Sequence, residues 1–572
     1  MTANDILRKY WGHTNFRLKQ EDIINQVIAG KDTLAILPTG GGKSICYQIP
    51  SLILEGICIV ISPLIALMDD QVRFLSSKGI KSIAINSRMN YNQIETALNN
   101  CIYGNIKFLY IAPERLENTL IQEKIKHMNI NLITVDEAHC ISEWGHNFRP
   151  SYRKIAKIKE LIPETPILAL TATATNKVAQ DIEENLKFTR SNIIKTKLSR
   201  DNVAYFVTNT NQKEEKILEL INQIKSSSIV YVRTRKEAKR LSEILNKNKY
   251  NSEYYHAGIQ SHKRKEIQDR WTNNETRIIV ATNAFGMGID KNDVKLIIHT
   301  YLPENIETYL QQSGRAGRNG DSAYSFILVN KKDVKIQKEI FKLKYPEIDE
   351  IRSCYQKIAN YLQIAENVIP EEKIAFDIIK FCKRYNISVL KVYYILQYLE
   401  KEEEIKFHTT GSEKSKIKIT ITNSELYKFQ IANQKYEKII KCLLRLYENI
   451  FHYNININEE KIAKVANMEI DQVKHQLHKL KQIEVLEYKE GNVEINTYIS
   501  LIKPRKDINN LHINKGKWEA RQEIEHNKLE QISSFAFNKT ECRKKILSAY
   551  FEEYVQECGI CDFCIKNKKN IL

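Results

Sequence analysis

From Asp32 to about Ala174 the sequence alternates short, unbroken apolar runs with stretches of helical periodicity, the runs being TLAIL, ICIVIS, SIAI, KFLYIA, LITV and ILAL. A strand with one wet face alternates apolar and polar residues. A run that is apolar throughout is buried on both faces, as in a parallel sheet covered by helices. The pattern is therefore α/β. After a polar stretch around Thr208 to Glu215 the rhythm restarts with SIVYV, SEYYH, RIIVAT, LIIHT and YSFILV, which predicts a second α/β domain to about Lys331. Two such lobes in tandem enclose a cleft.

Beyond Lys331 the pattern changes to helices with short strand pairs. From Glu371 to Thr422 it reads helix, turn, helix (FDIIKFCKRYNI, then SVLKVYYILQYLEKE), with IKF and KIKITI as paired strands, the order of a winged helix. A similar unit recurs from Tyr436 to Ser500, where two helices precede IEVLEYK, the turn Glu490-Gly491-Asn492 and VEINTYIS. An all-helical regulatory extension is the alternative for this second copy. A basic helix from about Lys515 to Gln531 leads to a terminal cysteine cluster. The 572 residues thus divide into 1–205, 206–340, 341–425, 426–505 and 506–572, where length alone, at roughly 150 residues per domain, suggests about four domains.

The longest apolar stretch, Gly56 to Met68, is interrupted by Ser62 and Pro63, and falls short of the ~18 residues that cross a bilayer. The N-terminal MTANDILRKYWGH also lacks the apolar core of a signal peptide. A membrane-spanning or secreted chain is not expected. Lys and Arg outnumber Asp and Glu by 87 to 69, a net charge of +18, which favours polyanionic partners; a Lys-rich composition explains the excess nearly as well. Of 11 cysteines, Cys542, Cys558, Cys561 and Cys564 lie within the last 31 residues, which points to a metal site in a reducing compartment.

Glycine is scarce, at 19 residues, and eight of these gather in Gly40-Gly41-Gly42, in Gly286-Met287-Gly288 and in Gly314, Gly317 and Gly320. Backbone that approaches a ligand closely needs glycine, so three ligand-facing loops are expected. The first follows a strand and opens a helix as Pro38-Thr39-Gly40-Gly41-Gly42-Lys43-Ser44. Its N–H groups would cradle phosphates, with Lys43 on the β/γ-phosphates and Ser44 on Mg²⁺. The strict phosphate-loop pattern departs only at Leu37. Downstream, LITV places Asp136 and Glu137 at a strand's C-terminal end, where open α/β sheets bind ligands. Asp136 can hold the Mg²⁺ and Glu137 can take a proton from the attacking water. An acidic pair at a strand end is often only a cap; the tetrapeptide Asp136-Glu137-Ala138-His139 behind a phosphate loop favours catalysis, His139 included. In the second lobe, Gly314-Arg315-Ala316-Gly317-Arg318 brings two arginines to one point. Such residues stabilise transition-state charge on a phosphate.

These strings carry a family resemblance: Phe16-Arg17-x-x-Gln20, PTGGGKS, ISPLIALMDDQV, DEAHCISEWGHNFRPSY, LTATA, YHAG, ATNAFGMGIDK and QQSGRAGRNG. Together they resemble the RecQ family of superfamily 2 DNA helicases over about residues 1 to 330. The resemblance implies two tandem RecA-like helicase lobes, an ATP-dependent motor moving 3′ to 5′ on single-stranded DNA, and unwinding of duplex or branched DNA in recombination and repair. It implies an adenine pocket at Arg17 and Gln20, where an amide can pair with the base, with His13 where many members stack an aromatic ring. It also implies a cytoplasmic, nucleoid-associated bacterial protein.

Trp144, His146, Phe148 and Arg149 lie in a Gly- and Pro-containing loop just after the acidic pair. Aromatic stacking with phosphate contact makes a sequence-tolerant single-strand site, and the loop is similar to the family's aromatic-rich loop. At the C-terminus Cys542-x15-Cys558-x2-Cys561-x2-Cys564 supplies four thiolates, enough for one tetrahedral Zn²⁺, and resembles the RecQ zinc-binding subdomain. Most members place that subdomain directly after the lobes; here some 200 residues intervene, so it has either moved or packs back from the end. The expectation is thus an α/β, monomer-capable helicase with ATP, Mg²⁺ and Zn²⁺ as cofactors, winged-helix-like regions and a terminal zinc unit.

Overall fold

In a computed structural model the described residues are 1–572 except 87–88, 146–147, 287–288, 290, 410–414, 448, 452, 492–496 and 570–572. His146, Met287, Gly288 and Asn492 therefore lie outside the described residues. No helix among the described residues is long and apolar enough to cross a membrane. The chain forms two compact units, one of 1–340 with 516–572 and the other of 341–515.

The first unit holds both α/β lobes. Lobe 1 has β1 (Thr33–Ile36), β2 (Ile57–Ile61), β3 (Ser82–Ile85), β4 (Phe108–Ile111), β5 (Ile130–Val135), β6 (Ile167–Thr171) and β7 (Ile193–Lys195). They run parallel in the order β3-β4-β2-β5-β6-β1-β7. The six expected runs are all strands, and β1, β2, β4 and β6 are buried at every position. Lobe 2 has β8 (Val203–Asn209), β9 (Ser227–Tyr231), β10 (Ser252–Tyr255), β11 (Ile278–Ala281), β12 (Val294–His299) and β13 (Ala323–Val329), parallel in the order β10-β11-β9-β12-β13-β8.

Two strands escape the apolar-run reading, β7 and β8, and both are edge strands. β7 is three residues long, too short to stand out as a run, and β8, though it opens apolar as VAYFV, is buried at Val203 to Tyr205 and only partly beyond. The boundary expected at 205 falls inside β8, and the link between the two sheets is the segment 196–202.

The second unit departs more. It has β14 (Ile374–Ala375), β15 (Ile405–Thr409), β16 (Lys416–Ile419), β17 (Ile455–Asn456), β18 (Leu486–Lys489) and β19 (Thr497–Leu501). The expected pairing of IKF with KIKITI does not form. Instead β15 pairs with β19 from Ile405↔Leu501 to Thr409↔Thr497, and β16 pairs with β18 from Lys416↔Lys489 to Ile419↔Leu486. Nor, among the described residues, does IEVLEYK pair with VEINTYIS. One winged-helix-like module, with helices Ile378–Tyr385 and Val389–Lys401, closes its sheet with β19, and a second module is nested between β15 and β19. The boundary expected at 425 falls within the helix Asn423–Ala432. The nested module has its own core, including Ile417, Ile440, Ile462, Leu477 and Tyr488. Hairpin closure between sequence neighbours is entropically cheap, but the apolar faces of β16 and β18 bury only against this core.

The terminal cysteines return to the first unit. The helix Lys515–Phe537 crosses back from the second unit, and the helices Arg543–Tyr550 and Asp562–Lys569 pack on β8. Asp562 accepts the backbone N–H of Val207 at 3.1 Å and the Arg543 guanidinium at 2.9 and 3.0 Å. The cysteine unit thus covers an edge strand that would otherwise present open backbone groups. Of the two alternatives, it packs back from the end.

Candidate nucleotide cleft, aromatic loop and zinc site

The C-terminal strand ends of lobe 1 open onto a cleft of about 490 Å³. β1 runs into the phosphate loop, whose last residue, Ser44, directly precedes the helix Ile45–Ile53. Thr39, Gly40, Gly42, Lys43, Ser44, Asp136 and Glu137 line the cleft from lobe 1, and Gln311, Arg315 and Arg318 line it from lobe 2. Gly41 lies on the same loop, its N–H bonded to the Pro38 carbonyl at 2.9 Å. Closure here is tight: a Cβ at Gly40 (φ +76°) would stand 3.1 Å from the Arg318 side chain.

Asp136 follows β5 and lies 3.4 Å from the Ser62 hydroxyl. Its backbone carbonyl accepts the Tyr152 hydroxyl at 2.9 Å. Burial, and then the adjacent Glu137 charge, push the Asp136 carboxyl up to about 7, with Lys43 opposing. Glu137 sits in the left-handed region (φ 49°), which turns its side chain toward His139, Oε2 to Nδ1 3.4 Å. That His139 nitrogen lies 3.0 Å from the Thr171 hydroxyl at the end of β6. Burial, then the charges of Lys43, Arg149 and Lys528, hold the His139 imidazole down at about 3, so it is neutral at ordinary pH. The acidic turn and the LTATA segment are thereby joined by one buried imidazole.

Two side chains expected at the base or the DNA are engaged elsewhere. The Gln20 amide nitrogen donates to the carbonyls of Gly41 and Gly42, both at 3.1 Å, and its oxygen accepts the Arg17 N–H at 2.9 Å. An amide can serve adenine only by leaving these partners. His13 and the Arg17 side chain are exposed. Arg149 donates to the Pro63 carbonyl at 3.3 Å, and its N–H bonds to the Cys140 carbonyl at 2.8 Å, which anchors the loop instead of reaching outward. In lobe 2, Arg315 and Arg318 both donate to the Ile289 carbonyl at 3.1 Å.

The aromatic loop lies directly on the acidic turn. A Cβ at Gly145 would meet the His139 carbonyl oxygen at 2.5 Å, so only glycine permits this approach. Trp144 and Phe148 are half-buried. Each ring faces a cation, Lys177 Nζ at 4.3 Å from the Trp144 centroid and Arg153 at 5.1 Å from that of Phe148.

Four side chains at this site carried no separate role in the sequence. Tyr152 and Thr171 sat inside motifs already singled out. Arg200, in the link between the sheets, donates to the Thr39 carbonyl of the phosphate loop and to the Ala316 carbonyl of the GRAGR segment at 3.1 Å. Lys528 reaches the loop from the C-terminal helix. Neither of these two lies in any local pattern.

The sulfurs of Cys542, Cys558, Cys561 and Cys564 all lie within 4.8 Å of one another, with Cys542 to Cys558 at 3.5 Å and Cys542 to Cys561 at 3.9 Å. A tetrahedron with ~2.3 Å Zn–S bonds sets its sulfurs about 3.8 Å apart. The hydrogen bond from Cys558 holds the Cys561 thiol down at about 5, while burial pushes Cys564 up to about 12. Four thiolates packed this closely repel one another and need a cation. The residues fit one Zn²⁺.

Comparison with known proteins agrees with this geometry. The DEAD/DEAH box helicase family matches residues 17–182, the helicase conserved C-terminal domain 212–320, the RecQ helicase winged-helix domain of Bacteroidota 417–490, and the RecQ zinc-binding family 505–565. "Probable ATP-dependent DNA helicase RecS" of Bacillus subtilis is 40% identical, over 60% of this chain and 70% of that protein. "ATP-dependent DNA helicase RecQ" of the same organism is 42% identical over 61% of this chain and 59% of its own length. A relative from Acanthamoeba polyphaga mimivirus with an RNA-helicase name is 36% identical, covering 79% of this chain and 78% of that one. With its two motor lobes, its RecQ winged helix and its four-cysteine zinc unit in one chain, this protein belongs to the RecQ family of ATP-dependent DNA helicases.

Proposed function

We propose that the protein moves 3′ to 5′ along single-stranded DNA on ATP hydrolysis and unwinds duplex or branched DNA in recombination and repair, acting at the bacterial nucleoid. The chain spans 70% of the length of RecS but 59% of that of RecQ. The observation that carries the reading is that phosphate loop, acidic pair and arginines, from two lobes, line one cleft. All come from one chain, so a monomer suffices.

Within the cleft Lys43 and the loop N–H groups bind the β/γ-phosphates. Ser44 and Asp136 hold Mg²⁺, which neutralises phosphate charge when bound; the raised Asp136 carboxyl, beside a second carboxylate, suits a cation there. Glu137 takes the proton of the attacking water, and His139, neutral, steadies Glu137 against Thr171. Arg315 and Arg318 stabilise the charge that develops on the transferring phosphoryl group. Gln20 exchanges the Gly41 and Gly42 carbonyls for adenine, with Arg17 and His13 beside the base, so that base binding frees the phosphate loop. Trp144 and Phe148 stack on single-stranded bases. Their loop rests on the His139 carbonyl, so DNA bound there shifts the catalytic turn without a long relay.

Strand displacement on duplexes with 3′ or 5′ single-stranded tails, with ATP and Mg²⁺, tests motor, polarity and substrate together. Unwinding of the 3′-tailed duplex alone is expected; unwinding from 5′ tails only would overturn the polarity. Because one relative carries an RNA-helicase name, RNA of equal length is the second arm, and stronger ATPase stimulation by RNA would favour that reading.

A further inference from the structure

The helix Lys515–Phe537 carries one buried cation into the motor. Lys528 is 7% exposed. Its ammonium donates to the backbone carbonyl of Trp144 at 2.8 Å and lies 3.3 Å from Glu525 and 3.8 Å from Glu307. These partners belong to the aromatic loop of lobe 1, to its own helix, and to the helix Ile306–Ser313 of lobe 2, which runs straight into Gly314-Arg315. Its donors reach Trp144 and Glu525 within hydrogen-bond distance, and the Glu307 carboxylate stands at ion-pair distance from the same charge.

The surroundings strengthen both contacts. Glu143, beside Trp144, receives Arg521 at 2.6 Å and Lys517 at 3.3 Å from the same C-terminal helix. On the lobe 2 side, Tyr309 packs on Phe535 with centroids 5.4 Å apart. A charge removed from water this fully is costly unless paired. An apolar side chain of equal length would fill the same space. Packing therefore does not explain the charge, whereas the link it makes between two lobes does.

We propose that Lys528 is a positioning residue that ties the aromatic loop to the arginine-bearing helix, so that DNA on the loop moves Arg315 and Arg318 relative to the phosphate loop. Lys528 contacts neither ATP nor DNA and acts through Trp144 and Glu307. The inference rests on the coupling role given above to Trp144 and Phe148, and makes the returning C-terminal segment part of the motor as well as a zinc carrier.

The test compares Lys528→Met, Lys528→Arg, the double variant Lys528→Met/Glu307→Gln and Trp144→Ala in the full chain, with oligo(dT) as the DNA. ATPase at saturating DNA over basal ATPase, KM for ATP, thermal melting and zinc content are read for each. Lys528→Met should lower the stimulation ratio about three- to thirtyfold, the range of a coupling-network change, through kcat with KM for ATP held. Lys528→Arg, which keeps charge and donors, should recover much of it. If Lys528→Met alone misfolds because Glu307 is left buried without its cation, the double variant removes that charge and decides; it should fold, keep its zinc and remain uncoupled. A folded Lys528→Met or double variant with the wild-type ratio overturns the proposal. Should Trp144→Ala uncouple while they do not, only the Lys528 link falls; should Trp144→Ala also keep the wild-type ratio, the loop's coupling role falls with it.

Discussion

Lobe 1 and lobe 2 are built alike, each a twisted parallel sheet with buried strands, yet they bring opposite chemistry to the cleft between them. Lobe 1 supplies the phosphate loop with Lys43 and two adjacent carboxylates, at the ends of β1 and β5. Lobe 2 supplies guanidinium groups held on a backbone carbonyl. The scaffold is common, so on the proposed function it is the division of charge between the lobes that would make hydrolysis depend on their closure. On the same reading, lobe 1 is the nucleotide-holding half and lobe 2 brings the cations that meet the phosphate. The segment 196–202 joins the two, and its Arg200 bonds to both the phosphate loop and the GRAGR segment.

The strongest way to break this comparison is to remove one chemical half at a time. Glu137→Gln, Lys43→Ala and Arg318→Ala should each lower steady-state ATP hydrolysis severely, the arginine loss by about 10³- to 10⁵-fold. Salt-sensitive DNA binding should persist in a filter or anisotropy assay, since it depends on many phosphate contacts elsewhere. Hydrolysis near wild-type rate in Arg318→Ala would mean that lobe 2 contributes no charge to the reaction.

Next is the support that the terminal segment gives to the edge of lobe 2, beside its smaller contacts with lobe 1 at Asn176 and Lys195. The purified protein should contain about one zinc per chain, and Cys561→Ser should lower that content and loosen the C-terminal segment. Because Asp562 and Arg543 hold this segment on β8, hydrogen exchange should rise at β8 while β1 to β6 of lobe 1 stay protected. Iron in place of zinc, or equal exchange in both sheets, would contradict the assignment.

Smaller again is the effect of Trp144→Ala and Phe148→Ala on DNA affinity, about 1 to 3 kcal/mol per lost stack. DNA-stimulated ATPase and unwinding should fall further than affinity. Stimulation at the wild-type ratio with saturating DNA would show the loop to be packing only.

The smallest effect is on stability and concerns lobe 1 alone. Asp136 in the folded protein titrates near 7 against an ordinary value of 3.8, so the folded state binds its proton more tightly than the unfolded chain does. Below about pH 4 the group is protonated in both states and exacts no penalty. Stability is lost as pH rises from 4 to 7, and the penalty is complete above 7. Asp136→Asn should therefore stabilise the nucleotide-free protein at pH 8 by about 1 to 3 kcal/mol and by little at pH 4, read by urea unfolding, while hydrolysis is lost. Equal effects at both pH values would sink this account.

The lobes were largely legible because their strands are buried on both faces and so announce themselves as continuous apolar runs. β7 and β8 were not: β7 has only three residues, and the apolar start of β8 runs straight into a polar stretch. The winged modules were legible as helices and short strands but not as pairings. Ile405 and Leu501 lie almost a hundred residues apart and nothing in either run names the other; the order of elements favoured local hairpins, and only the separate core around Ile440 and Leu477 required the nested arrangement. In the cleft, Gln20 was read for its capacity to pair with a base, while in the fold its amide satisfies two phosphate-loop carbonyls.

The sequence by itself determined the chemistry, because each group comes packaged with its local geometry: glycines before Lys43, a strand end before Asp136, cysteines separated by two residues in the terminal unit. Tertiary structure alone decided which distant pieces meet. The return of the zinc unit onto β8, the reach of Arg200 between lobes and the placement of Lys528 under Trp144 depend on contacts spanning more than a hundred residues. Such contacts are fixed by burial and charge pairing in the assembled core and leave no periodicity or spacing in the chain.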